Sequence, residues 1–416
     1  MIDQPEPVPY PGAMNTPGAR PTPATSATVR ELNLRTVWRV IGENAPISRA
    51  EISRATGISK PTVSAVLEDL LQIGLVVETA DASRGFTYGA VFFKPRPEAA
   101  HAVAFDVGAR HLRAAMVGLD GIEVVRRDAE VDGRTADGMV EAAVRLAQEL
   151  AEAAGVKPES VKHAMVGVPG VVDQRDGRVW EAANVPGMQG YAARERFSEA
   201  LRIPVTVEND INLAAHGEYA RGSGNGGTAG TADSFLFLSI GTGVGAGLVL
   251  GGNLLRGFKG AAGELDSAFE PVFIEGPDGL EPEVPTTMDP CAMAILQYAA
   301  DKLPGEQDLA MERVFELARA DDPGALDVVR EEARRIANYV AVASAVVDVE
   351  LVVLGGGIGL NGDLLLAPVA ERLAARLPYP PRLETSALGS GAVLAGAAAL
   401  AASLTVEQLI RDYFRG

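Results

Sequence analysis

Residues 104–121, "AFDVGARHLRAAMVGLDG", place one apolar run before Asp106 and Gly108 and another after them. This pattern predicts a buried strand, an Asp-x-Gly turn and a second strand returning as a hairpin. Backbone amides in such a turn can cradle phosphate, so the stretch is either a nucleotide site or only its outline. The same texture recurs downstream. "HAVAFDVG", "HAMVGVPG", "VTVEND", "FLFLSIGTGVGAGLVLG" and "LVVLGGGI" are short apolar runs ending in Gly, Asp or Asn, with helix-like stretches at 137–152 and 327–347 between them. Alternating strands and helices with Gly-rich turns predict a two-lobed α/β domain over 97–416. Its ligands would bind beyond the strand ends.

The residues before this domain read differently. Residues 1–28 are rich in Pro, Ala, Thr and Gly and nearly free of large aliphatic side chains. They cannot bury enough surface to offset chain entropy and predict a disordered tail. Three helical patterns follow over 29–96. The first places Leu32, Leu34, Val37, Val40 and Ile41 close to a 3.6-residue period and stops at "GENAP". In the second, Ser48 and Glu51 have the spacing of a capping box, and Gly57 closes the helix. The third starts at Ser59 with Pro61 in its first turn and carries Val63, Val66, Leu67, Leu70 and Leu71 on one stripe. Two β-patterned runs, "LVVET" and "AVFFK", flank the long tip "ADASRGFTYG". Two short helices, a Gly-containing turn and a hairpin make a winged helix-turn-helix. Its third helix offers a major groove Ser59, Lys60, Thr62 and Ser64, with Arg49 and Arg84 near the phosphate backbone.

Composition bounds these readings. The chain has 416 residues, a formal net charge of -18 and one cysteine, Cys291. The overall charge argues against nucleic acid, yet 30–96 carries nine Lys or Arg against seven Asp or Glu. One cysteine excludes an internal disulfide and points to the cytoplasm. The N-terminus shows no apolar core of a secretory signal, and charge interrupts every run short of the ~18 to 20 apolar residues of a membrane span. No membrane association is expected.

The order of the motifs carries more than any one of them. A winged helix, then Asp106-Val107-Gly108, "VGVPGVVD", "NVPG", "VENDINLAAHGE", "GTGVGAG", "GAAGE" and "LGGGI", resembles the ROK family of repressors, open reading frames and sugar kinases. The resemblance covers almost everything from residue 30 onward. It implies an actin/hexokinase-like (ribonuclease H-like) ATPase fold, with one lobe over about 97–212 plus C-terminal helices at 390–416 and the other over about 213–389. In the kinases of the family the Asp of the "ND" pair deprotonates a sugar hydroxyl, here Asp210. Such a carboxylate also serves as a helix cap. The resemblance further implies a sugar-facing set of Asn184, Asn209, Asp210 and Glu264. It places a nucleotide against Asp106, Gly108, Gly241, Thr242, Gly243, Gly355 and Gly356.

Departures from the family pattern sharpen the expectation. Kinases of the family carry Asp-x-Gly-Gly-Thr in the first hairpin, and this chain has Ala109-Arg110 where they have Gly-Thr. A Cβ at Ala109 hinders backbone approach to phosphate, although Arg110 could still pair with an anion. The family's Gly-His and Cys-x-Cys-x4-Cys zinc cluster is replaced by "GELDSAFEPVFIEGPDGLEPEVPTTMDPCAMA", with Ser267 at the His position and no His after His216. The acidic stretch itself reads as a solvated loop. No metal and no cofactor are therefore expected, and Asp210 and the glycine turns read as vestiges of a catalytic and nucleotide site. The reading is a ligand-controlled transcriptional repressor. Its partners are a double-stranded DNA operator, a sugar or sugar-phosphate effector and further copies of itself, as homodimer or tetramer. The alternatives are a sugar kinase carrying a DNA-binding domain, and a ROK scaffold that no longer binds sugar.

Overall fold

The N-terminal module forms where local signals place it. Helix α1 (Ser26–Asn44) buries Leu34, Val37 and Ile41 completely. Leu32, expected on the same stripe, is 63% exposed: two residues before Leu34 it points about 200° away around the helix. Strand β1 (Ile47–Ser48) precedes α2 (Arg49–Thr56). The capping box is present, Ser48 N–H donating to Glu51 Oε2 at 2.9 Å, and Gly57 caps the far end. Helix α3 (Lys60–Ile73) is N-capped by Ser59, holds Pro61 in its first turn and buries Val63, Val66, Leu67 and Leu70. Strands β2 (Val76–Thr79) and β3 (Phe92–Pro95) pair antiparallel, and β1 adds to the other side of β3. The computed structural model describes residues 26–80, 91–131, 135–182, 185–222, 226–265, 273–276, 279–282, 289–306 and 309–415. Arg84 and the wing tip around it lie outside the described residues, as do residues 1–25.

Two sheets of one topology follow. In the first, β4 (His101–Val107), β5 (His111–Val117) and β6 (Glu123–Glu130) form an antiparallel meander. Helix α4 (Ala136–Ala154) crosses to β7 (Val161–Val168), parallel to β4. The short pair β8 (Val171–Val172) and β9 (Val179–Trp180) and helix α5 (Ala193–Leu201) lead to β10 (Val205–Asn209), parallel to β7. Helix α6 (Asp210–Arg221) then leaves the sheet.

The second sheet repeats the plan. Strands β11 (Ser234–Ile240), β12 (Val244–Leu250) and β13 (Asn253–Leu255) make its meander. Strands β14 (Phe273–Gly276) and β15 (Gly279–Pro282) form a separate hairpin inside the acidic stretch, so that stretch is not only a loop. Helices α7 (Ala292–Lys302), α8 (Met311–Arg319) and α9 (Pro323–Val347) precede β16 (Leu351–Gly355), parallel to β11. The one-turn α10 (Gly356–Gly359) and α11 (Gly362–Arg376) lead to β17 (Arg382–Thr385). The orders β10-β7-β4-β5-β6 and β17-β16-β11-β12-β13 are the same walk through sheet space.

Helix α12 (Ala392–Arg415) ends the described chain as one helix rather than several. By length and composition it could cross a bilayer, contrary to the expectation from the sequence. Its apolar residues are instead consumed by packing. Leu394, Ala397 and Ala401 join Leu213 of α6 against the first sheet, whereas Ala214 and Ala215 of α6 face Phe235 and Phe237 of the second. Helix α6 is thus shared by both sheets, and the boundary expected at 212/213 falls inside it. The two helices touch backbone to backbone: a Cβ on Gly217 would strike the Ala392 carbonyl, and one on Gly396 the Leu213 carbonyl.

Candidate ligand cleft and nucleic-acid interface

Between the two sheets opens a cavity of about 990 Å³. The strand ends carry its polar groups. Strand β10 delivers Asn209 and Asp210, the β11–β12 turn delivers Gly241, Thr242 and Gly243, and Gly356 and Glu264 close the far side. The sequence left open whether Asp210 caps α6. The cap is Asn209, whose Oδ1 accepts from Asn212 N–H at 2.9 Å while its Nδ2 donates to the Gly170 carbonyl at 3.0 Å. Asp210 accepts from the neighbouring Ile211 N–H at 2.9 Å and lines the cleft. Loss of water, then the charges of Asp106 and Glu264, push its carboxyl up to about 7. Gly355 precedes this wall, and Gly356 (φ +74) is held where a Cβ would strike the backbone of Ile240. Asn184 lies outside the described residues.

Beneath these groups the fully buried Glu208 acts as a hub. Its Oε1 accepts from Asn209 N–H at 3.0 Å and Asn212 Nδ2 at 3.1 Å, and its Oε2 pairs with Arg256 from the second lobe. A low-dielectric ion pair across the lobes fixes how Asn209 and Asp210 are presented.

The first hairpin is arranged otherwise. Asp106 is buried and paired with Arg113 across the β4–β5 ladder at 2.9 Å, and Arg113 also donates to the Ser390 carbonyl at 3.4 Å. Burial raises the Asp106 carboxyl against the pull of Arg113. The His111 ring occupies the space a Cβ on Gly108 would take. Neither Asp106 nor Gly108 lines the cavity. Among the described residues no group of three or more His, Cys, Asp or Glu is placed to hold a metal ion.

On the N-terminal module, Ser59 and Lys60 are exposed at the start of α3, and Thr62 and Ser64 are half-buried. The Ser59 and Thr62 hydroxyls share a 2.8 Å hydrogen bond. The exposed Arg49 stacks its guanidinium 5.4 Å from the centre of the Phe93 ring. The opposite side of α3 is seated on α12. Val406 and Ile410 enter the core of Leu34, Ile41, Leu67 and Leu70. Tyr413 donates to Asp69 at 2.9 Å, Arg30 Nε to the same carboxylate at 2.7 Å, and Arg35 pairs with Glu407 at 2.7 Å. The other end of α12 is reached from Glu218 of α6, whose carboxylate accepts from Ser386 Oγ and the N–H groups of Ala387 and Leu388.

With this geometry in hand, comparisons with known proteins decide the family. The ROK family model matches residues 102–277 and 286–403. The chain belongs to the ROK family. A MarR family model matches residues 39–85, which places a MarR-type winged helix ahead of the ROK domain. The glucokinase of Halalkalibacterium halodurans is 30% identical over 50% of this chain and 66% of its own length. The xylose repressor of Bacillus subtilis is 25% identical over 58% of this chain, which spans 61% of that repressor. The crystal structure of a ROK family transcriptional regulator, a homologue of the E. coli MLC protein, superposes with a TM-score of 0.78 at 23% identity, covering 93% of this chain and all of that one. That likeness shows the fold: winged helix and two-lobed actin/hexokinase-like domain recur together.

Several residues of this ROK protein escaped motif reading. Arg113 stands opposite Asp106 when one counts outward from the two-residue tip 109–110, so its signal was present. Glu181 lines the cleft at φ +56, a conformation unfavourable for a residue with a Cβ, and nothing in its local sequence announces it. Gly217 and Gly396 could have been found as single glycines inside Ala-rich helical runs, where close helix approach is their usual reason.

Proposed function

We propose that this ROK protein is a transcriptional repressor whose winged helix binds an operator and whose interlobe cleft binds a carbohydrate that changes operator affinity. One observation carries the reading: α6 begins at the cleft with Asp210, contacts α12 backbone to backbone, and α12 ends in the core that seats α3. A ligand acts on DNA binding only by different affinity for two arrangements. This continuous path of packed helices supplies a rigid element for them to share. The names of the relatives, a xylose repressor among them, support the same reading.

In it Ser59, Lys60, Thr62 and Ser64 meet the major groove, Arg49 and Arg84 meet phosphate, and Asn184, Asn209, Asp210 and Glu264 meet the sugar. Few positive charges on an acidic body favour a dimer on a two-fold operator, so that two modest contacts act as one. A cytoplasmic location suits this role. The test is a gel shift on DNA upstream of the protein's own gene, repeated with candidate sugars. A retarded band that a sugar abolishes is expected, Lys60→Ala should lower the salt slope by about one, and no band on any genomic fragment would sink the reading.

A sugar kinase is the second reading, favoured by Asp210 with its carboxyl at about 7 inside the cleft. The Arg113–Asp106 pair and the filled first turn oppose it. Turnover of ATP and a hexose that Asp210→Asn abolishes would establish the kinase.

A further inference from the structure

We infer that the effector carries no phosphate: the cleft is built for a neutral or amine-bearing carbohydrate. The inference rests on the cleft being the effector site. Among its described lining residues five are acidic, Glu181, Asp210, Glu264, Glu312 and Glu316, and one is basic, Arg319. Arg319 is already committed, its Nε and Nη2 holding the Asp363 carboxylate at 2.8 and 2.9 Å and Nη2 also donating to Asn361 at 2.9 Å. The cations just behind the wall are spent in the same way, Arg113 on Asp106, Arg256 on Glu208, and Arg313 between Glu306 and Glu316.

Helix N-termini are the other common source of phosphate affinity. Three of those at the cleft carry carboxylates of their own. Asp210 opens α6, Glu312 lies in the first turn of α8 and Asp363 in that of α11. A sugar phosphate, with its charge near -2, would meet like charge and, among the described lining residues, no unspent cation. Hydroxyls and an ammonium group find acceptors throughout.

Titration calorimetry on the full chain at about pH 7 and low salt, with matched probes, tests this. The probes are glucose, glucosamine and glucose 6-phosphate, and N-acetylglucosamine with its 6-phosphate. For any parent sugar that binds, the ester should bind at least about 100-fold more weakly, and the free amine at least as tightly as the parent. Glu312→Gln together with Glu316→Gln should narrow the gap between parent and ester about tenfold. An ester that matches or exceeds its parent overturns the inference and leaves the effector reading intact. Silence from every sugar, in a preparation that still retards its operator, overturns the effector reading and this inference with it.

Discussion

The β4–β5 and β11–β12 hairpins occupy equivalent places in two sheets of one topology, yet their turns have opposite contents. At 241–243 the turn is open: a Cβ on Gly243 would meet nothing within 4 Å, and one on Gly241 only the Gly357 nitrogen at 3.8 Å. At 108–110 the protein has filled its own cradle, His111 over Gly108 and Arg113 on Asp106. The room in such a turn therefore resides in what is left out of it rather than in the hairpin that carries it. One lobe has kept the vacancy and the other has closed it.

The comparison can be broken at several points. The largest effect should come from Gly356→Ala, which forces a Cβ into the Ile240 backbone at φ +74. A loss of about 3 kcal/mol is expected in urea unfolding. A loss below about 1 kcal/mol would mean that the open side is not rigid. Next is Arg113→Ala, which strands a buried Asp106. It should cost about 2 kcal/mol, less than a fully buried pair because Arg113 reaches solvent, and Asp106→Asn on top should restore at least half in a double-mutant cycle.

Asp210 senses the first hairpin through the charge of Asp106. Its folded pKa lies above the unfolded one, so its favourable contribution is complete below about pH 4 and is lost as pH rises through about 7. Asp210→Asn should raise stability by about 1 kcal/mol at pH 8 and by nothing measurable at pH 4. An equal gain at both would show that the carboxyl does not sense its neighbours. The smallest contrast is between glycines. Gly243→Ala should change stability by less than about 0.5 kcal/mol, whereas Gly108→Ala, which must displace the His111 ring, should cost about 1 kcal/mol.

What the sequence made legible follows from range. Ser48, Glu51, Ser59 and Pro61 act within one helical turn, so the winged helix could be read directly. The strands ending in Asp106, Asn209 and Gly355 could be read from apolar runs and their stops. Asp210 was visible as a cleft residue, but its neighbour Asn209 makes the cap, since both residue types cap helices and only backbone geometry at Asn209 chooses. The Arg113 pair needed strand register. Tyr413 on Asp69 joins residues 344 positions apart, which no local pattern encodes. The apolar C-terminal run looked unremarkable because its partners are three separate surfaces.

The seat that α12 provides for the winged helix has a temporal meaning. The winged helix leaves the ribosome well before Val406, Ile410 and Tyr413, which complete its core and hold α3. A nascent or prematurely ended chain can form the three helices but not their fixed attitude to the rest of the protein. The fixed attitude of the winged helix is thereby reserved for chains translated through α12.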